Sequence, residues 1–409
     1  MTPPHFPVLR APAPGCARHQ PAAACSITGS IAQFSHDQAD QCGTIIIKAL
    51  RKTPMNPHPQ LIALIPSRNE ADRITAAIAA LHHQTRPPDR IVVVTNNCTD
   101  SDGTREAARD AGVWVLDIPA CEGKKAGALN HALDQVLPGL DDADLVLVQD
   151  ADTVLAREFL ATAQGAMRRR VGAVGGVFYG EPGGGLLGQL QRMEYQRYAW
   201  EIGRSGGKAV VLSGTATLFR VGVLRQVKAA RIAGRIGGGT SYYSLASLTE
   251  DDECTKAVKT LGYKPMSPAA CTVTTEVMSS LTALWHQRLR WQRGALENLR
   301  DYGLTRVTAP YWAKQIMMGL GALALLVYLL FVILELVLIG SMTVSPFWTA
   351  IGALFVVEKT VSVRKAGWRS VVLAALLVPE LLYDMFQHAV YFRSLYDAAR
   401  RREERWIAT

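Results

Sequence analysis

The chain has 409 residues, of which 49% are hydrophobic, and a formal net charge of +9 at pH 7. This length accommodates one large domain or two ordinary ones, and the hydrophobic content lies at the upper end of the range for soluble proteins. The seven cysteines are odd in number and form no CxxC pair, which argues against a disulfide scaffold and favours a reduced, cytosolic domain.

The first 58 residues are rich in Pro, Ala, His and Gln and show no sustained periodicity. They lack the charged start and the apolar core of a signal peptide. We predict a disordered N-terminal extension over 1–58. It is either a true tail or the result of a start codon assigned too early, because Met55 stands just before the first convincing strand.

From residue 61 onward, short apolar segments alternate with helical patterns. Strands are predicted at LIALIPS (61–67), RIVVVTN (90–96) and VWVLDIP (113–119), helices at about 69–81 and 101–111, and a strand, tight turn and strand at VVLSGTATLFR (210–220). The alternation indicates a doubly wound, Rossmann-like α/β domain over 59–282. Two Gly-rich stretches, EPGGG and GRIGGGT, are predicted to be mobile loops around a site.

The segment DLVLVQDADTVL (144–155) places Asp150 and Asp152 directly after a run of Leu and Val. The run is predicted to be a buried strand of a parallel sheet, and ligands of such sheets bind outside the carboxyl ends of the strands. Two carboxylates there suit a shared divalent cation, Mg²⁺ or Mn²⁺, that also binds a substrate phosphate. The alternative is that both aspartates cap the next helix.

The segment ACEGKKAGALNHAL (120–133) combines glycines, two lysines and the start of a helix. Lysines and unpaired backbone amides at a helix start attract an anion such as a diphosphate. A solvated loop that leads into a helix is the alternative interpretation.

Four adjacent carboxylates begin the helical segment SLTEDDECTKAVKTLGY (247–263). Thr249 is placed to cap this helix, and acids in a first turn are favourable in any case, so capping alone is one interpretation. Four carboxylates exceed that need. Mutual repulsion and partial burial would raise the pKa of one of them, which is the condition for a general base.

The segment LWHQRLRWQRGALENL (284–299) is predicted to be an amphipathic helix within an interface region at 283–312. At about 100° per residue, one face carries Gln287, Arg290, Trp291 and Gly294, and the opposite face carries Trp285, Leu289, Leu296 and Leu299. An Arg and a Trp that project together suit a sugar diphosphate, since Arg pairs with phosphate oxygens and an indole stacks on a sugar ring. A helix that lies on the membrane surface is the alternative, and both can hold for the same helix.

The C-terminal region is strongly apolar. Residues 316–334 contain no charge and are long enough to cross about 30 Å of hydrocarbon as a helix. Residues 346–357 are short for a span, and residues 371–392 carry Glu380, Asp384 and His388. The sequence therefore predicts a multi-pass membrane protein with two or three segments over 313–392 and a basic tail over 393–409.

Basic residues flank these apolar segments between 359 and 369 and again from Arg400. Juxtamembrane Lys and Arg mark the cytoplasmic side, so the positive charge indicates topology, and no nucleic-acid partner is expected. We predict a hairpin of 316–341 and 344–358. The segment 371–392, bent near Pro379, is predicted to be re-entrant or interfacial, with its acids and His388 facing water or headgroups and the C terminus inside.

Taken in chain order, four motifs resemble those of the processive branch of glycosyltransferase family 2. They are Lys125-Ala126-Gly127-Ala128-Leu129-Asn130, Asp150-Ala151-Asp152, Thr249-Glu250-Asp251 and Gln287-Arg288-Leu289-Arg290-Trp291. That branch includes cellulose, chitin, hyaluronan and poly-N-acetylglucosamine synthases. The resemblance covers roughly residues 60–300. It implies a GT-A fold, a nucleotide-sugar donor, a divalent metal ion and inversion at the anomeric carbon.

The resemblance also implies roles for the matching residues. Asp152 would hold the metal ion, with Asp150 near the ribose and diphosphate of the donor, and Lys125 would help bind the nucleotide. Asp251, beside Glu250 in the TED motif, would be the base for the acceptor hydroxyl. Gln287, Arg290 and Trp291 would hold the diphosphate and the acceptor end. Pro66, Arg68, Asn69 and Glu70 of IPSRNE resemble the opening nucleotide-binding strand and turn.

The chain departs from the family pattern at two places. Asn96 stands where the family usually has the acidic residue that contacts uracil, although an amide can still hydrogen-bond a pyrimidine edge. The membrane segments are few, and so few helices argue against a polymer channel within one chain. An oligomer or a separate export partner would supply one.

We therefore expect an inverting, metal-dependent glycosyltransferase anchored in the plasma membrane with its catalytic domain in the cytoplasm. It would use UDP-linked glucose or N-acetylglucosamine to extend a β-linked polysaccharide. The nearest alternative is transfer of a single sugar to a lipid or lipid-linked acceptor. A catalytically silent membrane scaffold, suggested by Asn96, is the alternative from another class.

Overall fold

The computed structural model describes residues 8–10, 58–99, 101–341 and 345–400. Their internal contacts divide the chain into two units that are discontinuous in sequence. The first unit contains the described residues up to 178 together with 206–246 and 253–275, and the second contains 179–205, 247–252 and the described residues from 276 onward. The predicted domain boundaries at 59, 283, 313 and 393 stay predictions. The predicted N-terminal extension lies outside the described residues apart from 8–10, which form a strand.

The elements alternate in the first half of the chain and become wholly helical towards the end. The described strands are β1 Val8–Arg10, β2 Leu61–Ser67, β3 Arg90–Asn96, β4 Trp114–Ile118, β5 Leu145–Gln149, β6 Val154–Leu155, β7 Ala173–Gly175, β8 Val177–Gly180, β9 Ala216–Arg220 and β10 Thr272–Thr275. The described α-helices are α1 Ala71–His82, α2 Thr104–Asp110, α3 Lys124–Val136, α4 Phe159–Ala166, α5 Gly185–Arg204, α6 Val221–Ile232, α7 Glu250–Thr260, α8 Leu281–Tyr302, α9 Ala309–Ile339, α10 Pro346–Val363, α11 Trp368–Leu376 and α12 Val378–Ala399.

Within the described residues, the first unit is built on a seven-stranded sheet in the order β1-β4-β3-β2-β5-β9-β7. The strands from β1 to β5 run parallel to their neighbours, whereas β9 is antiparallel to both β5 and β7. A smaller sheet has the order β6-β10-β8. The sheet orders confirm a doubly wound, mixed α/β fold.

The central strands are buried on both faces, which explains their nearly continuous runs of Val, Leu and Ile. Alternate residues of β2 enter two different cores. Ile62 and Leu64 pack in the core that contains Leu129 of α3. Leu61, Ala63 and Ile65 of the same strand pack in the core that contains Ile74 and Ile78 of α1. The period of two along the strand therefore distributes its side chains between two helical layers.

The predicted strand at the start of VVLSGTATLFR is wrong. Only its second half forms a strand, β9. The backbone of the first half is bound by side chains of α7 instead of a neighbouring strand. Lys259 Nζ donates to the carbonyls of Ala209 and Val210 at 2.6 and 3.0 Å, and the Leu212 amide donates to Thr255 Oγ1 at 2.9 Å. Side chains thus supply the hydrogen bonds that a neighbouring strand would otherwise make to this backbone.

The GRIGGGT stretch, predicted to be a mobile loop, is tied down by buried contacts in the first unit. Arg231 of α6 forms a buried ion pair with Glu253 at 2.5 Å. The same guanidinium donates to the carbonyls of Gly238 and Ser241 at 3.2 and 3.1 Å. A buried charge that binds two carbonyls of one loop fixes the backbone around it.

Two helices of the second unit, α9 and α10, are long and apolar enough to cross a membrane, within the residues that the structure describes. The pair α11 and α12 qualifies together but is bent by 79°. The bend falls at Leu377, whose φ is +57°, two residues before the predicted Pro379. The apolar helices support association with a membrane, and the predicted topology stays a prediction.

One feature of the predicted interfacial segment is wrong. Glu380 does not face water, because its side chain is buried and pairs with Arg197 of α5 and with Lys359 of α10 at 3.2 Å. Lys359 also contacts Asp384 at 3.1 Å. The two basic side chains compensate the buried carboxylate, which is the condition under which a buried charge is tolerated.

Candidate active site

The carboxyl ends of β2, β3 and β5 lie along one edge of the large sheet, because these strands are parallel neighbours. Pro66 pairs in register with Val94, so β2 and β3 end within a residue or two of each other. The β5 strand ends at Gln149, and Asp150 follows directly. The predicted donor residues at the three strand ends, Pro66, Asn96 and Asp150, are therefore placed along the edge at which ligands of such sheets bind.

The turn after β2 is fixed by contacts to the segment after β3. Asn69 adopts a left-handed conformation with φ +56°, and its Oδ1 accepts a hydrogen bond from the Thr99 amide at 3.0 Å. The Glu70 amide donates to Thr104 Oγ1 at 2.8 Å. The exposed Arg68 precedes this turn. The IPSRNE motif therefore forms a braced turn with Arg68 at its surface.

Asp150 and Asp152 do not cap a helix, so that alternative is wrong. The next described helix, α4, begins only at Phe159, after β6. Asp150 Oδ1 forms an ion pair with Lys125 Nζ at 2.5 Å. The structure thus brings together two residues that were predicted to bind the donor from motifs 25 positions apart in the chain.

Asp152 contacts hydroxyl groups. Its Oδ1 accepts from Thr153 Oγ1 at 3.1 Å, and its Oδ2 accepts from Thr275 Oγ1 of β10 at 3.4 Å. These hydroxyl groups orient the carboxylate. Asp150 is bound to Lys125, and Asp152 stays the residue that is predicted to hold the metal ion.

The start of α3 requires glycine at two positions. Gly123, the residue before the helix, has φ +78°, and a Cβ there would lie 2.6 Å from Leu245 Cδ2. A Cβ at Gly127 would lie 1.9 Å from the carbonyl oxygen of Glu122. The KKAG motif therefore lets the helix fold tightly against the preceding loop, which sets the position of Lys125.

The two asparagines after β3 have different surroundings. Asn96 is buried at the end of the strand. Asn97 has φ +50°, and its side chain exchanges two hydrogen bonds with the Cys121 backbone, at 2.9 and 2.8 Å. Sequence reasoning assigned no role to Asn97. The structure shows that it joins the loop after β3 to the loop that leads to Lys125.

A buried acid on β4 was also missed. Asp117 Oδ1 accepts hydrogen bonds from Thr95 Oγ1 at 2.7 Å and from Arg105 Nε at 2.8 Å. The pair anchors α2 to the sheet beside the end of β3. An acid inside the apolar strand VWVLDIP was the signal that could have identified it, because a buried carboxylate needs a partner.

Two of the four acids that begin α7 have structural contacts. Asp252 Oδ2 accepts a hydrogen bond from Asn298 Nδ2 at 2.9 Å, and the same amide group donates to Thr249 Oγ1 at 3.1 Å. Glu253 forms the buried ion pair with Arg231. Asp251 also accepts a hydrogen bond, from the Asp252 amide to its Oδ1 at 2.8 Å. Contacts to other helices thus account for Asp252 and Glu253, and the TED resemblance keeps Glu250 and Asp251 as the predicted catalytic acids.

Tyr198 of α5 is a further residue that the sequence did not indicate. Burial, followed by the charges of Asp251 and Glu201, raises the pKa of its hydroxyl. The electrostatic effect shows that Tyr198 lies near the predicted base in the second unit. A tyrosine with a raised pKa stays protonated and can serve as a hydrogen-bond donor.

The QRLRW segment forms part of α8. Gln287, Arg290 and Trp291 are half-buried, and Arg290 has no carboxylate partner among the residues that the structure describes. Gly294 of the same predicted face is buried. It packs so closely that a Cβ there would lie 2.5 Å from Thr249 Oγ1. The predicted polar face therefore carries three half-buried side chains and one glycine that packs closely against Thr249.

The oxygen atoms at the sheet edge supply part of the ligand set of a divalent metal ion. In the described part of the chain, no group of three or more His, Cys, Asp and Glu side chains is arranged to hold a metal. Asp152 and Asp150 supply the hard oxygen ligands that Mg²⁺ and Mn²⁺ prefer. A bound ion would take its remaining ligands from phosphate oxygens and water, as Mg²⁺ usually does.

Residues 58–294 match the model of the family described as glycosyltransferase like family 2. The match covers more than half of the chain, so the protein belongs to this family and is a family 2 glycosyltransferase. The family and the mixed α/β sheet confirm the predicted GT-A fold and the predicted enzyme class. The individual site residues stay predictions.

Among curated relatives, the chain is similar to the poly-beta-1,6-N-acetyl-D-glucosamine synthases of Staphylococcus epidermidis and Staphylococcus aureus strain MSSA476. The first is 24% identical over 250 residues, which cover 59% of this chain and 56% of the relative. The second is 25% identical over 258 residues, which cover 61% and 58%. The chain thus spans a little over half the length of these relatives. The similarity confirms the predicted resemblance to the processive branch.

Among solved structures, the chain resembles a mannosyltransferase from Pyrobaculum calidifontis in complex with GDP-Man and Mn²⁺. The TM-score is 0.53 at 19% identity, and the alignment covers 91% of this chain and 97% of the other. At this identity the likeness shows a shared fold.

Proposed function

We propose that the protein is an inverting glycosyltransferase that transfers N-acetylglucosamine or glucose from a UDP-linked donor to extend a β-linked polysaccharide. The observation that carries the proposal is the sheet edge of a family 2 fold at which Asp150 and Asp152 follow β5 and Lys125 of α3 pairs with Asp150. The names of the curated relatives favour N-acetylglucosamine among the donors. The protein is anchored by its apolar helices, with the catalytic units in the cytoplasm.

The residues of the first unit are proposed to bind the donor. Lys125 stands in the first turn of α3, and the amino end of a helix favours a negatively charged ligand. Asp152, with Asp150, would hold a Mg²⁺ or Mn²⁺ ion. Such an ion neutralises the developing charge of a leaving diphosphate. The Mn²⁺ in the complex of the mannosyltransferase from Pyrobaculum calidifontis supports this assignment.

The residues of the second unit are proposed to act on the acceptor and the leaving group. Asp251 accepts the proton of the acceptor hydroxyl as that oxygen attacks the anomeric carbon, and Glu250 shares the same helix start. Arg290 has no carboxylate partner among the described residues, so its charge is available for a diphosphate. Gln287 and Trp291 hold the acceptor end, the indole by stacking on a sugar ring.

Asn96 is proposed to contact the donor's base. It is buried at the end of β3, and its amide offers both a donor and an acceptor. The edge of uracil presents one N–H group between two carbonyl oxygens. The side-chain amide of Asn96 can accept a hydrogen bond from that N–H group and donate one to a neighbouring carbonyl oxygen. The absence of an acid at this position is therefore compatible with a UDP-linked sugar.

A panel of radiolabelled nucleotide sugars, offered to membranes that contain the protein, tests the proposal. We expect release of UDP from one donor together with labelled product of increasing length. Membranes that contain Asp251→Asn serve as the control for other enzymes in the preparation. A protein that releases no nucleotide from any donor would contradict the proposal and favour a catalytically silent scaffold.

Transfer of a single sugar to a lipid or lipid-linked acceptor is the second candidate. It is favoured by the small number of candidate spans, two helices and one bent pair among the described residues. The same assay separates the two functions. Product that extracts into organic solvent and stays one sugar long would establish single transfer. A product of increasing length would establish polymerisation, and an oligomer of this chain or a separate export partner is proposed to carry it across the membrane.

A further inference from the structure

The second unit contains a buried arginine that belongs to the QRLRW segment but was given no role. Arg288 of α8 is 4% exposed, although its neighbours Gln287 and Trp291 are half-buried. Burial lowers the pKa of this guanidinium, but the opposing charge of Glu194 and smaller effects of nearby tyrosines outweigh the burial, so the pKa is raised and Arg288 remains charged. A buried guanidinium persists only if it is well bonded, and its partners therefore indicate its task.

Arg288 contacts both residues that are proposed to hold the acceptor. Its Nη1 donates to Gln287 Oε1 at 2.5 Å. Its guanidinium carbon lies 4.4 Å from the centroid of the Trp291 indole, which is the geometry of a cation–π interaction. One side chain thus restricts Gln287, the preceding residue, and Trp291, one turn further along the helix.

Glu194 of α5 holds Arg288 in place. Its Oε2 accepts hydrogen bonds from Arg288 Nη2 at 2.9 Å, from Tyr383 Oη at 2.6 Å and from Gln387 Nε2 at 3.2 Å. The last two residues stand one turn apart on α12. Three donors converge on one carboxylate oxygen, so the position of Glu194 depends on α8 and α12 together.

Aromatic packing joins the same two helices. The rings of Trp285 and Phe386 meet edge to face with centroids 5.8 Å apart, and the rings of Phe386 and Tyr383 stack at 6.1 Å. Because α12 follows the 79° bend in the apolar region, the contacts link α8 to a helix of the candidate membrane segment. A movement of α12 would change the bonding of Glu194 and, through it, of Arg288.

We infer that Arg288 is a positioning residue for the acceptor. Arg288 holds the Gln287 amide and the Trp291 indole in the orientation that receives a sugar chain, and Glu194 with Tyr383 of α12 fixes Arg288. The inference rests on the proposed function, because it assumes that Gln287 and Trp291 contact a glycan. The inference adds that the geometry of the acceptor site depends on α12, a helix of the apolar region.

The test uses the full chain in lipid nanodiscs, with UDP-N-acetylglucosamine as the donor and a β-1,6-linked N-acetylglucosamine pentasaccharide as the acceptor. Two rates are measured for each variant: transfer to the pentasaccharide and hydrolysis of the donor by water. Arg288→Lys keeps the charge but loses the planar contacts. Arg300→Lys, at an exposed position of the same helix, is the matched control.

For Arg288→Lys we expect the acceptor KM to rise by about tenfold to a hundredfold, as misplacement of a positioning group does. Donor hydrolysis and the donor KM should change by less than about twofold, because donor contacts are unaltered. Arg300→Lys should match wild type. A purely structural role predicts that transfer and hydrolysis fall together, and this result would overturn the inference.

Tyr383→Phe provides a second variant if Arg288→Lys does not fold. It removes one hydrogen bond to Glu194, keeps the ring packing and should raise the acceptor KM by about threefold to tenfold. An unchanged acceptor KM in this variant would contradict the inference even where wild type transfers sugar. Absence of transfer by wild type is a different outcome, and it would count against the proposed function itself.

Discussion

The sheet edge of the first unit and the helical cluster of the second unit organise their functional residues in different ways. At the sheet edge, each residue follows a strand end, and parallel pairing alone brings Asn96 and Asp150 to one side of the fold. In the helical cluster, Glu194, Arg288 and Tyr383 meet only through side chains, across sequence separations of 94 and 189 residues. Backbone topology thus positions the first set, and tertiary packing positions the second.

The comparison predicts different responses to substitution. Residues at the sheet edge stand on a rigid scaffold, so their replacement should remove a chemical function and leave the fold intact. Substitutions in the helical cluster should reduce activity by graded amounts, since several contacts together hold each side chain in place. Substitution of Asp152 tests the first response, and Arg288→Lys and Tyr383→Phe, described above, test the second. The further predictions below run from the largest expected effect to the smallest.

Asp251→Asn should nearly abolish transfer. The amide keeps the shape of the carboxylate but cannot accept a proton, and loss of a general base costs about a hundredfold to ten-thousandfold in rate. Donor affinity, measured by titration with UDP, should stay close to wild type. Retention of more than about half of the turnover would assign the base to another carboxylate. Asp252, which is bonded to Asn298, would be examined first.

Asp152→Ala should weaken both metal and donor binding, because the proposed ion joins the protein to the diphosphate. Wild-type activity should disappear in excess chelator and return on addition of Mg²⁺ or Mn²⁺. The readouts are Mn²⁺ binding by electron paramagnetic resonance and UDP release. Full activity of wild type in excess chelator would contradict the metal-ion assignment and show that Asp152 does not act through a metal ion.

Gly127→Ala tests the close packing at the start of α3. A new methyl group would overlap the Glu122 carbonyl oxygen, so the loop must shift at a cost of about 1 to 3 kcal/mol in the free energy of unfolding. We expect a lower Tm and a higher donor KM, since Lys125 moves with the loop.

Gly165→Ala, in α4, is the matched control for this variant. A Cβ at Gly165 has no neighbour within 4 Å, so the change should stabilise the helix by about 0.5 to 1 kcal/mol. Equal Tm values for the two variants would refute the packing argument.

The smallest effect is expected from a cysteine placed at the C terminus, Thr409→Cys, which should leave activity unchanged. Thr409 lies outside the described residues, and the variant serves only to locate the C terminus. If the C terminus lies in the cytoplasm, a membrane-impermeant thiol reagent should not label it in intact cells and should label it after lysis. Labelling of intact cells would establish three full spans.

The sequence predicted β2 and β3 with the bounds that the structure shows, because a strand buried on both faces leaves a continuous apolar run. The position of Asp150 and Asp152 followed from the same pattern. The strand predicted near 210 failed because Lys259 and Thr255 bind that backbone, and a residue pattern does not reveal such long-range partners. The burial of Glu380 was missed for the same reason, since Arg197 lies 183 residues away.

The acidic run at the start of α7 shows the same limit at the candidate site. The TED resemblance singled out Asp251 as the predicted base, but the residue pattern gave no separate roles to Asp252 and Glu253. Asn298 accounts for Asp252 and Arg231 accounts for Glu253, so two acids are structural. The motif located the helix start correctly. The structural roles of Asp252 and Glu253 depend on Asn298 and Arg231, which are distant in the sequence.

The configuration of the sugar bond formed by the purified protein tests the central claim most directly. The protein in lipid nanodiscs is supplied with UDP-α-N-acetylglucosamine, and the first product is examined by proton NMR at the anomeric position. The account predicts a β-linked product with one UDP released for each sugar transferred. An α-linked product, or UDP release from every donor without any transfer, would contradict an inverting glycosyltransferase.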